Sequence, residues 1–325
     1  MKKKIIVRGP VLSQSGYGEQ ARFALRALLA DERVEVYVQA LRWGNTGWVW
    51  EDSEERKMID ELITKTIHYN RNGGDFDMSL QVTIPNEWEK ITPINIGYTA
   101  GIETTKVAPQ WLVKGNEMDH IVVVSNHSKN VYQNTPAIAK NEQTGEQVDY
   151  KLSTPVDSVN YAVRDRSNKT AIPGFEPSTE FNFLCVSQWG PRKNFDNTIR
   201  WFVEEFHDQE VGLIVKTSIA NNSLIDRDKS EERLSTILSS YSDRKCKVYM
   251  LHGDLTEDQL NWLYTHDKVK SLVNIAHGEG FGLPMFEAAQ CALPVITIGW
   301  SGQLDFLRHN GKEYFSKVKH EMKPI

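Results

Sequence analysis

The chain is poor in cysteine, has no excess of positive charge and lacks long apolar runs. Only three cysteines occur in 325 residues, Cys185, Cys246 and Cys291, far apart and without metal-ligand spacing. So sparse and odd a count excludes a disulfide framework and fits a reducing compartment. Cys185 and Cys291 lie in apolar runs and read as small buried hydrophobes. The formal net charge is −5. With no basic excess to neutralise phosphates, a nucleic-acid partner is excluded. Small basic clusters remain that suit a diphosphate or a peripheral contact at a membrane surface. No run approaches the ~18 apolar residues of a membrane span. The apolar stretch behind the basic N-terminus is short and broken by Arg8, so it does not read as a secretory signal. A cytoplasmic protein is expected.

What is present is a strand–helix alternation that starts twice. Ile5–Val7 reads as a strand, "SQSGYGEQ" as a glycine loop, Glu19–Ala30 as an amphipathic helix and Val34–Leu41 as a strand. Strand candidates follow at Met78–Ile84, Ile94–Ala100 and His120–Asn126, with a helix at Ser128–Asn134 and a polar turn at Asn141–Gln147. Val163–Glu180, rich in Pro, Ser, Thr and charge, reads as a linker. The pattern then restarts with strands at Phe181–Ser187 and Val211–Thr217 and helices at Asn194–Phe206 and Ser230–Ser242. Strand "CKVYMLHG", helix "TEDQLNWLYTH", strand "SLVNIA", helix "PMFEAAQCA" and strand "PVITIG" complete it. Such alternation predicts parallel sheets with helices on both faces. The expected fold class is α/β, two Rossmann-like parallel-sheet domains facing a cleft, 1–170 and 171–325, with a short or truncated C-terminal end. Ligands then belong near the C-terminal ends of the strands.

The stretch "NIAHGEGFGLPMFEAAQ", Asn274–Gln290, carries the chemistry. Glu279 stands on a glycine loop after a strand, Pro284 where a helix begins, and Glu287 just inside that helix. The amides of Gly282, Leu283, Met285 and Phe286 would gather at the helix N-terminus, which favours phosphate. The glycines let a ligand approach the backbone. Glu287 could accept two hydroxyl hydrogen bonds, as acids do from a ribose, and Glu279 could grip the hydroxyls of a sugar. Taken singly, either acid would be only a dipole partner or a solvated loop charge; together they form a pattern. Arg192, Lys193 and Lys216 also follow strands and could reach one diphosphate.

"HGEGFGLPMFEAAQCALPVIT" resembles the signature of family-4 glycosyltransferases, retaining enzymes of the two-Rossmann GT-B type. "SQWGPRKNFDNTIRWF" resembles the start of their C-terminal domain, and "GWSGQLDFL" the segment after their "PVI" strand. The resemblance implies transfer of a sugar from a UDP-, GDP- or ADP-sugar to a glycan, lipid-linked or protein acceptor, without an essential metal or other cofactor. It implies Glu287 at the donor ribose, Glu279 at the donor sugar, and the amides around Gly280, Phe281, Gly282 and Leu283 at the diphosphate. Glu279 and Lys193 are the expected catalytic residues; Arg192, Lys193 and Lys216 would neutralise the donor. The family usually pairs its Lys with an Arg six residues earlier, where this chain has Ser187. Many members carry a His on the strand matching Asn95–Thr105, where this chain has Thr99 and Glu103. Gly16, Tyr17, Gly18, Thr99, Glu103 and Ser125 are the expected acceptor-side residues, and Trp43, Trp48 and Trp50 fit either sugar stacking or a core. His252, after a strand, fits either a base contact or a buried core histidine.

Three other readings stay open. Asp75 and Asp77 form an Asp-x-Asp pair of the kind that binds metal in other glycosyltransferases, although the pair precedes a strand and reads as a turn; "IDRDK" near Asp226 reads the same way. A glycosyltransferase-like protein that binds nucleotide sugar or glycan with little or no turnover is the alternative function. A nicotinamide oxidoreductase is disfavoured, because "SGYGEQA" lacks the third glycine of G-x-G-x-x-G.

Overall fold

The computed structural model describes residues 2–140 and 147–324. Apart from Gln147, the polar turn expected at Asn141–Gln147 lies outside the described residues. The chain divides into two compact units, Met1–Ala162 and Val163–Ile325. The division falls eight residues before the expected boundary.

The first unit runs β1 (Lys3–Gly9), α1 (Gly16–Leu29), β2 (Val34–Ala40), α2 (Glu54–Arg71), β3 (Met78–Val82), β4 (Ile94–Thr99), α3 (Pro109–Asn116), β5 (His120–Val123), α4 (Asn126–Asn134), a hairpin of β6 (Ala137–Lys140) and β7 (Gln147–Tyr150), and β8 (Val156–Ser158). Its main sheet is six-stranded, ordered β2-β1-β3-β4-β5-β8. All its pairings are parallel. Ile5, Ile6 and Val7 are buried consecutively, the pattern of a strand covered on both faces.

The second unit runs β9 (Asn182–Val186), α5 (Phe195–Phe206), β10 (Gly212–Thr217), α6 (Leu224–Leu238), β11 (Lys247–His252), α7 (Glu257–Tyr264), β12 (Val269–Asn274), α8 (Leu283–Gln290), β13 (Val295–Ile298), α9 (Leu304–Leu307), the short pair β14 (Arg308–His309) and β15 (Lys312–Glu313), and β16 (Ser316–Val318). Its six strands are ordered β11-β10-β9-β12-β13-β16. Two apolar layers sandwich this sheet. Leu184, Ile214, Leu272, Met285 and Ala288 lie in one; Cys185, Phe195, Ile199, Leu213 and Val215 lie in the other. The C-terminal segment supplies β16, parallel to β13, so the sheet reaches six strands within this chain.

Two expectations change. Helix α6 begins at Leu224 and ends at Leu238, so "IDRDK" is helix, not a turn. Its signal was hidden because Leu224 and Ile225 point outward while Asp226 and Ser230 are buried. Val163–Glu180 is no free linker: Arg164 donates to Glu257, Arg166 to Asn261, and the Thr170 amide to the Asp258 carbonyl, all on α7.

Candidate active site

In the second unit the strand order reverses between β9 and β12, and loops leaving the C-terminal ends of such neighbours frame a ligand site. The β9 loop carries Arg192 and Lys193; the β12 loop carries Glu279. Lys193 Nζ lies 2.5 Å from Glu279 Oε1, and Arg192 NH1 lies 3.4 Å from Oε2. The backbone stitches the loops together. His277 N donates to Arg192 O at 2.9 Å, and Arg192 NH1 to Gly278 O at 2.7 Å. Three residues expected at the donor, 86 or 87 positions apart in sequence, are thus in contact.

Glu279 is only 6% exposed. Burial pushes its carboxyl up, but Lys193 and Arg192, with the Asn274 amide 3.1 Å away, outweigh that and hold it below the usual range. It is a fixed anion beside two cations, so the cluster keeps a positive surplus. Lys216, at the end of β10, lies within electrostatic reach of Asp254 and Glu287. Burial lowers its ammonium, with Asp254 and Glu287 opposing. Among the described residues no hydrogen bond or ion pair reaches the Lys216 ammonium.

Helix α8 starts at Leu283 behind Gly282, whose φ of 91° is left-handed. That conformation is what favours glycine here; a Cβ would also displace the Met285 methyl, 2.5 Å away. The expected cluster of four amides is corrected to two. Met285 N and Phe286 N donate to Gly282 O at 3.0 and 3.1 Å, as a helix entry tightens its first turn. The amides of Gly282 and Leu283 have no partner among the described residues. Phe281 is buried against Phe286 and Phe306, so its ring serves packing while Gly280 carries the loop past it.

Glu287 is the fifth residue of α8, beyond the first turn, which disfavours the alternative of a mere dipole partner. Tyr264 donates to its Oε2 at 2.9 Å, and Arg166 lies 3.1 Å from its Oε1. Burial raises its pKa more than Arg166, Tyr264 and Arg164 lower it.

In the first unit, Gly18 and Tyr17 open α1 with Gly16. Ser15 caps the helix, accepting from Gly18 N at 3.1 Å. A Cβ on Gly18 would sit 1.9 Å from Ser13 O, whereas Gly16 faces open space. Gly18 therefore serves chain path rather than ligand approach. Tyr17 Oη meets Thr99 Oγ1 at 2.7 Å and accepts from the amides of Ala100 and Gly101. Burial pushes the phenol up to about 12, and Glu103 adds to the rise. Tyr17, Thr99 and Glu103 thus come together at the end of β4. Ser125 is the buried N-cap of α4 and accepts from Ser128 N, a structural role instead of the expected open one. Trp43 packs on Tyr17 with centroids 4.5 Å apart, while Trp48 and Trp50 are 51% and 69% exposed. Asp77 accepts from Lys4 N and neutralises Lys3.

Sequence reasoning missed several supports. Ser301, behind β13, accepts from Glu279 N at 2.7 Å and donates to Glu279 O at 2.8 Å. Asn274, Tyr264 and Arg166 each hold one of the two glutamates. Position at a strand end was the available signal for Asn274; the others carry none in sequence. His252 is buried against Asp226 at 2.8 Å, and Asp226 also accepts the amides of Ile219, Ala220 and Asn221.

Two tandem Rossmann-like units are the GT-B fold, and comparison with solved structures bears this out. Against solved structures, the chain aligns over 95% of its length with a glycosyltransferase from Rickettsia africae ESF-5 (82% of that chain, TM-score 0.58, 12% identity). It aligns over 94% with sucrose-phosphate synthase from Thermosynechococcus elongatus (83% of that chain, TM-score 0.57, 15% identity). It also aligns over 94% with the E. coli trehalose-6-phosphate protein bound with UDP-2-fluoro glucose (86% of that chain, TM-score 0.56, 10% identity). In sequence, 118 residues are 30% identical to the serotype-specific mannosyltransferase WbdA of Escherichia coli, 35% of this chain but 13% of that protein. No family model matches the chain. No helix among the described residues is long and apolar enough to cross a membrane.

Proposed function

We propose that the chain is a retaining glycosyltransferase that moves a hexose from a nucleotide-diphosphate sugar to a glycan or lipid-linked acceptor. The observation that carries this is the Lys193–Glu279 contact with Arg192 at the strand reversal. It sets a buried hydroxyl-accepting anion next to surplus cations. The likeness to a mannosyltransferase over 118 residues supports hexosyl transfer.

In this reading the donor diphosphate lies against Lys193, Arg192 and Lys216 and the open amides of Gly282 and Leu283. Glu279 accepts hydrogen bonds from the sugar hydroxyls and Glu287 from the ribose. The bond between the sugar's anomeric carbon and the phosphate oxygen breaks as the acceptor oxygen bonds to that carbon on the same face. The acceptor's proton passes to the departing diphosphate. The protein supplies positioning and charge, with no covalent nucleophile, and the cations replace a metal. The exposed Trp48 and Trp50 provide ring surfaces for the acceptor, while Tyr17 and Thr99 spend their hydroxyls on each other at the end of β4.

The test is a panel of UDP-, GDP- and ADP-sugars, a mannosyl donor included, with purified protein in EDTA. Nucleotide-diphosphate release and thermal shift are followed in wild type and Glu279→Gln. Release from one donor, lost in the variant, is expected. A thermal shift without release, even with glycan acceptors present, would replace this reading with that of a nucleotide-sugar-binding protein.

A further inference from the structure

The segment expected to be a linker does something specific at its start. Arg166 is 6% exposed at its side chain and spreads all three guanidinium nitrogens over separate acceptors. Nε donates to Gln290 Oε1 at 3.2 Å, NH1 to Asn261 Oδ1 at 2.7 Å, and NH2 lies 3.1 Å from Glu287 Oε1. Gln290 Oε1 also accepts from Arg164 N, and Asn261 Nδ2 donates to Asn168 O. The fork is therefore fixed from α7, from α8 and from its own segment. On the other side, Tyr264 holds Glu287 Oε2.

We propose that Arg166 is a positioning residue for nucleotide recognition, which fixes the Glu287 carboxylate and leaves one lone pair on each oxygen turned toward a ribose diol. This inference rests on the reading of Glu287 as a hydroxyl acceptor. A carboxylate oxygen has two acceptor sites; Arg166 takes one on Oε1 and Tyr264 one on Oε2, so two remain, as a vicinal diol needs. A planar guanidinium fixes that geometry where an ammonium would not. Charge retention matters as much as aim. Burial favours the protonated acid, and a protonated Glu287 gives up one of the acceptor sites. The groups facing Glu287 are Arg166 and Arg164 from the segment, Tyr264 from α7, Lys216 from β10 and Cys291 behind α8. Arg166 is in direct contact with Glu287 at 3.1 Å.

The probes are UDP, GDP and ADP, each with its 2′-deoxy form, titrated by calorimetry at about pH 6 and about pH 8.5. Wild type is expected to prefer the ribose form of its nucleotide by about tenfold at both values, the worth of one hydrogen bond to a charged group. In Arg166→Met the Glu287 carboxyl titrates higher. The preference should vanish at the lower pH and partly return at the higher. Arg166→Lys, which keeps charge without the fork, should hold a reduced preference at both, and carries the test if Arg166→Met does not fold. A merely structural role would move stability and leave the ratio unchanged. Wild-type ratios in both arginine variants, with Glu287→Ala having lost the preference, would overturn the inference alone. A wild type that ignores the 2′-hydroxyl, or a Glu287→Ala that still reads it, would bring down the underlying reading as well.

Discussion

The two units are wound differently, and only the second shows a surplus of cations in contact with a buried carboxylate where its winding reverses. With sheet strands counted in chain order, the first unit reads 2-1-3-4-5-6 and the second 3-2-1-4-5-6. In the second, the loops beside the reversal bring two cations and a buried carboxylate together. In the first, β1 and β3 flank the reversal. Arg8 of β1 spends its guanidinium on Gln81, the Glu87 carbonyl and Glu89, while buried Arg22, paired with Glu19, holds the Val11 and Ser13 carbonyls of the β1 loop, which closes on the Ser15 cap. What gathers instead at the end of β4 is hydroxyl and aromatic: Tyr17, Thr99 and Trp43. The difference teaches a division of labour that one fold alone does not dictate. The second unit leaves cations in surplus around a buried carboxylate. The first pairs its charges internally and sets Tyr17, Thr99 and Glu103 together at the end of β4.

Substitutions can break or sharpen this contrast. The largest effect is expected from Glu279→Gln, which removes the anion between Lys193 and Arg192. Turnover should fall about 100-fold, the scale for one preorganised electrostatic group, read as initial rate of nucleotide-diphosphate release. Next, Gly18→Ala should cost about 3 kcal/mol in chemical denaturation by overpacking against Ser13 O, with nucleotide affinity intact. Gly16→Ala, facing open space, should stay within about 0.5 kcal/mol. Lys216→Met separates binding from stability. Removing a buried, unpaired cation should raise the melting temperature, while nucleotide affinity by calorimetry drops about tenfold with the lost charged hydrogen bond. Equal affinity would take Lys216 out of the donor site. Apart from the Gly16→Ala control, the smallest effect belongs to Tyr17→Phe. It orphans the Ala100 and Gly101 amides and should cost about 1 kcal/mol, without changing nucleotide affinity. A loss of affinity as large as that of Lys216→Met would erase the contrast between the units.

Much of this was legible in the sequence, for identifiable reasons. Parallel strands buried on both faces are written as apolar runs, so Ile5–Val7 and Leu213–Val215 announced themselves. The loop around Glu279 was readable because glycine, proline and acid each have a local conformational reason to stand there. Lys193 was readable from its place after a strand. Strand order was not, since pairing partners leave no local mark. Nor was the start of α6, where a buried Asp226 occupies a position that periodicity assigns to an apolar residue. The docking of Arg166 was hidden by composition. A stretch of Pro, Ser, Thr and charge looks solvated until the distant Asn261, Glu287 and Gln290 are known to face it.

The loop behind β13 bears on redesign. Ser301 adopts a left-handed φ of 84°, uncommon and costly for a side chain, and its hydroxyl spans both backbone groups of Glu279. A Cβ on Gly302 would stand 2.0 Å from Gly280 O. The two loops fit like the halves of a clasp. A graft of residues 277–283 from a related chain would therefore need residues 299–303 from the same source. The exchangeable unit is discontinuous, with β13 as its fixed hinge pin.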